Sequence, residues 1–126
     1  CIIKESGLKL NDDLHKCLWM DKIDLKDLSE KGHIVGLHSH SHPTTMGEKS
    51  FDFQNKNYKI NKSILEDVLK KDVFSMSHPC NSYNNDTLEI LTNLNIEIGF
   101  RANMRSGFNS NLEVPRIDHS EIVKFL

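Results

Sequence analysis

The sequence predicts an α/β fold built on a parallel sheet or barrel, and three observations carry that prediction. Short apolar runs alternate with segments of helical period, the runs are only four or five residues long, and polar clusters stand where each run ends. In such folds binding and catalytic sites form where loops leave the carboxyl ends of the strands.

Residues 1–4 read as a short strand, followed by a polar stretch containing Gly7 that runs to about Met20. In 21-DKIDLKDLSEKG-32, Ile23, Leu25 and Leu28 supply an apolar side, Asp21 or Asp24 a cap, and Gly32 a stop, so a short helix is expected. Residues 33–37, mostly apolar and bounded by glycine, read as a buried parallel strand. From Thr44 to Asn57 the chain is polar and reads as irregular at first. Ile60, Ile64, Leu65, Val68 and Leu69 then recur at helical spacing, and Lys70-Lys71 suit the negative end of that helix. Residues 73–76 read as a strand and 77–85 as a loop. Asp86 followed by Glu89 gives a capping-box-like start to a helix carrying Leu88, Ile90, Leu91 and Leu94. Residues 96–100 read as a strand, 103–111 as a loop, and 112–117 as a last short strand carrying Pro115. His38 to His42, Ser77 to Tyr83 and the loop after Phe100 therefore all fall at strand ends, where one pocket can gather them.

The 126 residues correspond to about one domain, and 37% apolar with 27% charged residues is an ordinary globular composition. A net charge of -2 with interspersed signs gives no reason to expect nucleic acid or an anionic membrane surface, and no apolar run reaches the length of a membrane span. Cys1, Cys17 and Cys80 are odd in number and widely spaced, which fits a reducing compartment better than a disulfide scaffold. The chain opens at Cys1, without methionine, directly into Ile2 and Ile3, which reads as a start inside a domain of a longer protein.

Chemistry is concentrated in 32-GHIVGLHSHSHPTTM-46, where three of the seven histidines occupy alternate positions. Two imidazoles four residues apart can share one metal ion on a helix face, as in zinc peptidases of the HExxH type. Here Ser39 stands where such a motif has its glutamate base, and Pro43 turns His42 away from helical geometry. A loop that rises from a strand and turns into a helix can still join His38 to His42, with His40 pointing elsewhere. Two plainer readings stand beside it: a polar loop rich in histidine by chance, and a surface metal tract without catalysis. His15 is given no role, and His33 at a strand start is read as structural.

These residues resemble the polysaccharide deacetylase family, the NodB-homology domain of carbohydrate esterase family 4. The family's glycine-histidine pair, short strand and His-Ser/Thr-x-x-His-Pro signature stand here as 32-GHIVGLHSHSHP-43. Further along, 79-PCNSYNNDTLEIL-91 is similar to its Pro-Tyr-Gly-x-Tyr-Asn segment and following helix, and 112-LEVPRIDH-119 to a late Pro-Arg-Ile segment. The resemblance implies an α/β fold, a distorted (β/α) barrel of the NodB type, incomplete at its N-terminus, with residues 1–126 forming one partial domain. It also implies metal-dependent removal of N-acetyl groups from a sugar or polysaccharide, with zinc as the usual ion and other divalent ions accepted. By matching positions His38 and His42 would ligate the metal and Ser39 would brace the loop, while His40 carries no role. The backbone N–H of Cys80 would meet the oxyanion; Pro79, Tyr83 and Arg116 would face the carbohydrate, and His119 is the candidate general acid. Asp118 would orient a histidine or cap a short helix, and His78 is read as a wall of the pocket.

The chain also departs from that pattern. The family's Thr-Phe-Asp-Asp-Gly strand, source of the base and of a third metal ligand, is missing. Asp12 and Asp13 form the only aspartate pair, and they lie in a polar stretch between elements. Since Cys1-Ile2-Ile3 resembles the second strand, the missing motif is expected upstream in a parent protein. Some branches carry Arg-x-Pro-Tyr where this chain has 77-SHPC-80. The alternatives to an active deacetylase are a catalytically dead fragment or remnant serving as a carbohydrate- or metal-binding module, and a histidine-rich metal protein of another fold. A barrel without its first strand would leave open sheet edges, which favour pairing into a homo-oligomer.

Overall fold

A computed structural model describes residues 19–105, 107, 110–117 and 122. The expected strand at 1–4, Asp12, Asp13, His15, Cys1, Cys17, Asp118 and His119 lie outside the described residues.

The first helix, α1 (Lys22–Glu30), begins at a reciprocal capping box. Asp21 Oδ1 accepts from the Ile23 and Asp24 N–H groups at 2.6 and 3.0 Å, and Asp24 Oδ2 accepts from the Asp21 N–H at 2.8 Å. Four N–H groups at a helix start have no partner within the helix, which is why aspartate is favoured there. Gly32, at φ 91, takes the chain out of α1 through a conformation costly for other residues.

The chain then runs extended, but it joins the sheet only at Leu37, which bridges Met76 in parallel sense. Leu37 N–H donates to Ser75 O at 2.8 Å, and its carbonyl accepts from Ser77 N–H at 2.9 Å. The predicted five-residue strand thus contracts to a single bridging residue. Gly36 sits so close to this neighbour that a Cβ there would meet Ser75 O at 2.8 Å.

Helix α2 (Phe51–Leu69) starts well before the apolar period suggests, because Ser50 caps it by accepting from Phe53 N–H. Its first buried residues are Gln54 and Asn57, which an apolar count passes over. A short 3-10 turn (Met46–Glu48) precedes it and buries Met46. Strand β1 (Ser75–Ser77), helix α3 (Asn85–Asn93) and strand β2 (Ile98–Phe100) then form one β-α-β unit. The strands pair in parallel with Ser75 opposite Ile98, Met76 opposite Gly99 and Ser77 opposite Phe100. Helix α3 is capped by Asn84 with Thr87 in the reciprocal position, two residues earlier than the Asp86 and Glu89 pairing predicts. An asparagine amide accepts as well as a carboxylate there, and Asp86 falls within the first turn instead.

Beyond β2 the expected last strand is a 3-10 turn (Asn111–Glu113) followed by one parallel bridge, Phe100 to Val114. Gly99 allows that close approach: a Cβ on it would lie 2.5 Å from Leu112 O. The spatial order across the sheet is therefore Leu37, β1, β2, Val114. The core gathers Leu37, Met46, Tyr58, Leu65, Val73, Met76, Ile90, Leu91, Ile96 and Leu112, with α2 packed against both α1 and α3. Ile34 and Phe74 remain exposed. Among the described residues no helix is long and apolar enough to cross a membrane.

Candidate metal and deacetylase site

Because Leu37 lies beside Met76, the turn after Leu37 and the turn after Ser77 leave the sheet side by side. That register brings the His38 ring over the end of β1, where its Nδ1 lies 2.8 Å from Ser77 O. A carbonyl can only accept, so Nδ1 carries the hydrogen and Nε2 of neutral His38 presents its lone pair.

His42 comes to the same point from four residues on. The two Nε2 atoms stand 3.1 Å apart, with ring centroids at 4.8 Å and planes tilted by 55°. Two imidazole nitrogens on one tetrahedral zinc ion, each at roughly 2.0–2.1 Å, would lie about 3.3 Å apart. The pair therefore fits two corners of a divalent site, and the bond from His38 to a backbone carbonyl is the kind that fixes a ligand's tautomer. Among the described residues no group of three histidine, cysteine or carboxylate ligands gathers.

The loop between the two rings is tightly held. Ser39 and His42 adopt left-handed backbone, at φ 63 and 48, and Ser39 Oγ accepts from His42 N–H at 3.0 Å. Asn61 Oδ1 accepts from His38 N–H at 3.0 Å; Asn57 Oδ1 accepts from His40 N–H at 2.8 Å and from Ser41 N–H at 3.1 Å. Asn57 Nδ2 in turn donates to Ser41 Oγ at 2.8 Å. His40 is exposed, and its backbone N–H is what ties it to this network. Sequence reading passed over both asparagines, although a signal was present. Gln54, Asn57, Tyr58, Asn61 and Leu65 share one helical stripe, so polar residues interrupt the face that α2 turns inward.

At the second turn, Pro79 is buried, while Cys80 is exposed with a free thiol. Cys80 and Asn81 are both left-handed, at φ 49 and 55. The turn's backbone bonds run from Asn81 N–H to His78 O and from Ser82 N–H to Pro79 O, which leaves the Cys80 N–H outside that pair. Asn81 Oδ1 accepts from Ala102 N–H at 2.8 Å, pinning the turn to the loop after β2.

Behind it lies a buried cluster. His78 Nε2 donates to Leu112 O at 2.7 Å, and its ring stacks on Tyr83 at 4.1 Å. Tyr83 Oη donates to Glu113 Oε1 at 2.9 Å. Burial lowers the His78 pKa, outweighing the raising effects of the Leu112 carbonyl and Glu113, so the ring is held neutral. Burial, with the hydrogen bond to Glu113, raises that of Tyr83. Arg116 is exposed and lines, with His38, Gly36, Ser75, Ile98 and Phe100, an open cavity of about 650 Å³. His38, His42 and Cys80 thus occupy neighbouring turns, Arg116 shares a cavity with His38, and Tyr83 contacts Glu113 and His78.

A family model described as polysaccharide deacetylase matches residues 14–99. No curated protein matches the chain at a significant level. Among solved structures, the deacetylase PplD of Streptococcus pyogenes, determined with acetate, is 25% identical over 83% of this chain and 47% of its own, with a TM-score of 0.71. The deacetylase domain of BpsB from Bordetella bronchiseptica has a TM-score of 0.69 at 12% identity, covering 79% of this chain and 48% of that one. A CE4-family pseudoenzyme from Bacillus anthracis has a TM-score of 0.57 at 20% identity, covering 60% of this chain and 26% of that one. The chain spans about half the length of the first two. Its sheet and helices accordingly form part of a NodB-type barrel, as expected.

Proposed function

We propose, from the premise that the chain belongs to the polysaccharide deacetylase family, that it forms part of a metal-dependent hydrolase removing N-acetyl groups from a sugar or polysaccharide. The observation that carries the reading is the convergence of the His38 and His42 Nε2 atoms to 3.1 Å, with His38 Nδ1 committed to Ser77 O. His38 and His42 would hold the ion, which supplies Lewis acidity and generates a nucleophile from water near neutral pH.

The chain's own residues divide the remaining work. The Cys80 N–H, held in a left-handed turn beside the pair, suits the charge that develops on the amide oxygen, where a fixed donor is worth more than one that must reorient. Arg116 on the cavity wall and Pro79 and Tyr83 behind the turn shape the carbohydrate side. His119 would protonate the leaving amine, and the base together with a third ligand would come from an aspartate pair. The test uses the full-length protein loaded with zinc or cobalt and an oligomer of N-acetylglucosamine. Acetate release, lost on chelation and on His42→Ala, is expected; no release from any N-acetylated sugar defeats the reading.

A second reading, a non-catalytic carbohydrate- or metal-binding module, draws on the finding that only two ligands meet among the described residues. It predicts glycan or metal binding without acetate release. Under either reading, open sheet edges would pair copies of the chain, and light scattering that finds only monomer removes that element.

A further inference from the structure

We infer that Asn57 and Asn61 are positioning residues for the histidine pair, the parts of α2 that hold His38 and His42 in convergence before any ion arrives. The inference rests on the metal reading above, and its geometry can be tested apart from it.

The two asparagines stand four residues apart, one turn of a helix, so their side chains share a face about 6 Å along the axis. Their amide oxygens accept three of the loop's N–H groups, those of His38, His40 and Ser41. Asn57 takes two of these on one oxygen and still donates from Nδ2 to Ser41 Oγ, which uses both faculties of an amide. Ser39 adds the His42 N–H. Four of the five N–H groups from His38 to His42 are therefore held by side chains, and the left-handed Ser39 and His42 are joined to each other within the set.

Non-glycine residues rarely hold such backbone unless their surroundings impose it. Released from α2, the loop would relax toward ordinary backbone, and His42 Nε2 would leave the point shared with His38. A 19-residue helix supplies a rigid mount for this grip, where a loop-to-loop contact would move with its partner.

The test is cobalt(II) titration of the full-length protein with Asn57→Ala, Asn61→Ala and Asn57→Asp, together with amide exchange at residues 38, 40 and 41. Loss of an outer partner of this kind weakens metal binding roughly tenfold to a hundredfold, and that loss is expected for both alanine variants. Asn57→Asp, which keeps the acceptor atoms, should bind cobalt nearly as wild type does. Unchanged cobalt affinity in the alanine variants, even with a lowered unfolding midpoint, overturns the inference and leaves a merely structural role. Asn57 is buried, so if Asn57→Ala does not fold, half-exposed Asn61 decides through Asn61→Ala. If the wild-type protein takes up no cobalt, the metal reading fails, and imidazole ¹⁵N shifts then judge the clamp alone. A His38 ring locked with its hydrogen on Nδ1 in wild type and mixed in Asn61→Ala upholds it; identical spectra overturn it.

Discussion

The turn after Leu37 holds His38 and His42 in the open with their Nε2 atoms facing each other, whereas the turn after Ser77 buries His78 flat against Tyr83. Both turns leave adjacent strand ends, and each uses one imidazole nitrogen to donate to a backbone carbonyl, Ser77 O in one and Leu112 O in the other. What separates them is the second nitrogen. His38 presents it to His42 Nε2 in solvent reach; His78 keeps it among buried atoms with no partner. The same side chain therefore turns a free ring nitrogen toward solvent in one turn and serves as a packing element in the next, and burial decides which.

The largest effect expected from this contrast concerns the ion. His38→Ala and His42→Ala should each weaken divalent-metal binding by more than the roughly 10–100-fold typical of losing an outer partner, while His40→Ala should be mild; elemental analysis and titration read all three. The reverse order, with His40 dominant, would assign the metal to the histidine tract as a whole.

Next comes the floor of the second turn. Gly99→Ala would press a methyl against Leu112 O, the acceptor for His78 Nε2, at 2.5 Å from backbone that has no flexible end to yield. Overpacking of this sort destabilises by about 1–3 kcal/mol, and urea unfolding should show it.

The third prediction distinguishes the two turns by acid. With its pKa lowered by burial, folded His78 stays neutral in a pH range where the unfolded chain takes up a proton. The unfolded state then binds more protons, so stability falls with pH below about 6.5, the ordinary histidine value. His78 can contribute at most about 1.4 kcal/mol per pH unit to that slope, and His78→Phe should flatten it. An unchanged slope between pH 7.5 and 5.5 (roughly one unit either side of that value) would mean that the second turn does not keep His78 neutral.

The smallest effect belongs to Tyr83→Phe, which removes the hydroxyl that bonds Glu113 and Arg101 while leaving the stacking surface in place. A loss of about 0.5–1.5 kcal/mol is expected by thermal unfolding, with cobalt affinity at the first turn unchanged.

Much of this arrangement is legible in the sequence. Asp21 announces α1, the period from Ile60 to Leu69 announces the second half of α2, and 32-GHIVGLHSHSHP-43 announces the convergent histidine pair at a strand end. The start of α2 is hidden because its first inward residues, Gln54 and Asn57, are polar, and an apolar period cannot register residues buried for their hydrogen bonds. Asn84 is passed over as a cap because Asp86 and Glu89 offer the more familiar spelling of the same box. The contraction of residues 33–37 to one bridge is hidden for another reason: pairing belongs to two segments at once, and a strand's own composition does not say how far its neighbour follows it.

The bonds that grip the histidine loop differ in how far they reach along the chain. Those from Ser41 and His40 to Asn57 and from His38 to Asn61 close 16, 17 and 23 residues, whereas the bond from His38 Nδ1 to Ser77 O closes 39. Loop-closure entropy rises with the logarithm of length, about 0.6 kcal/mol for each doubling. In folding, then, the backbone of this site can be set by a local hairpin of loop and helix, ahead of the sheet. The choice of which ring nitrogen keeps its hydrogen waits for β1 to arrive.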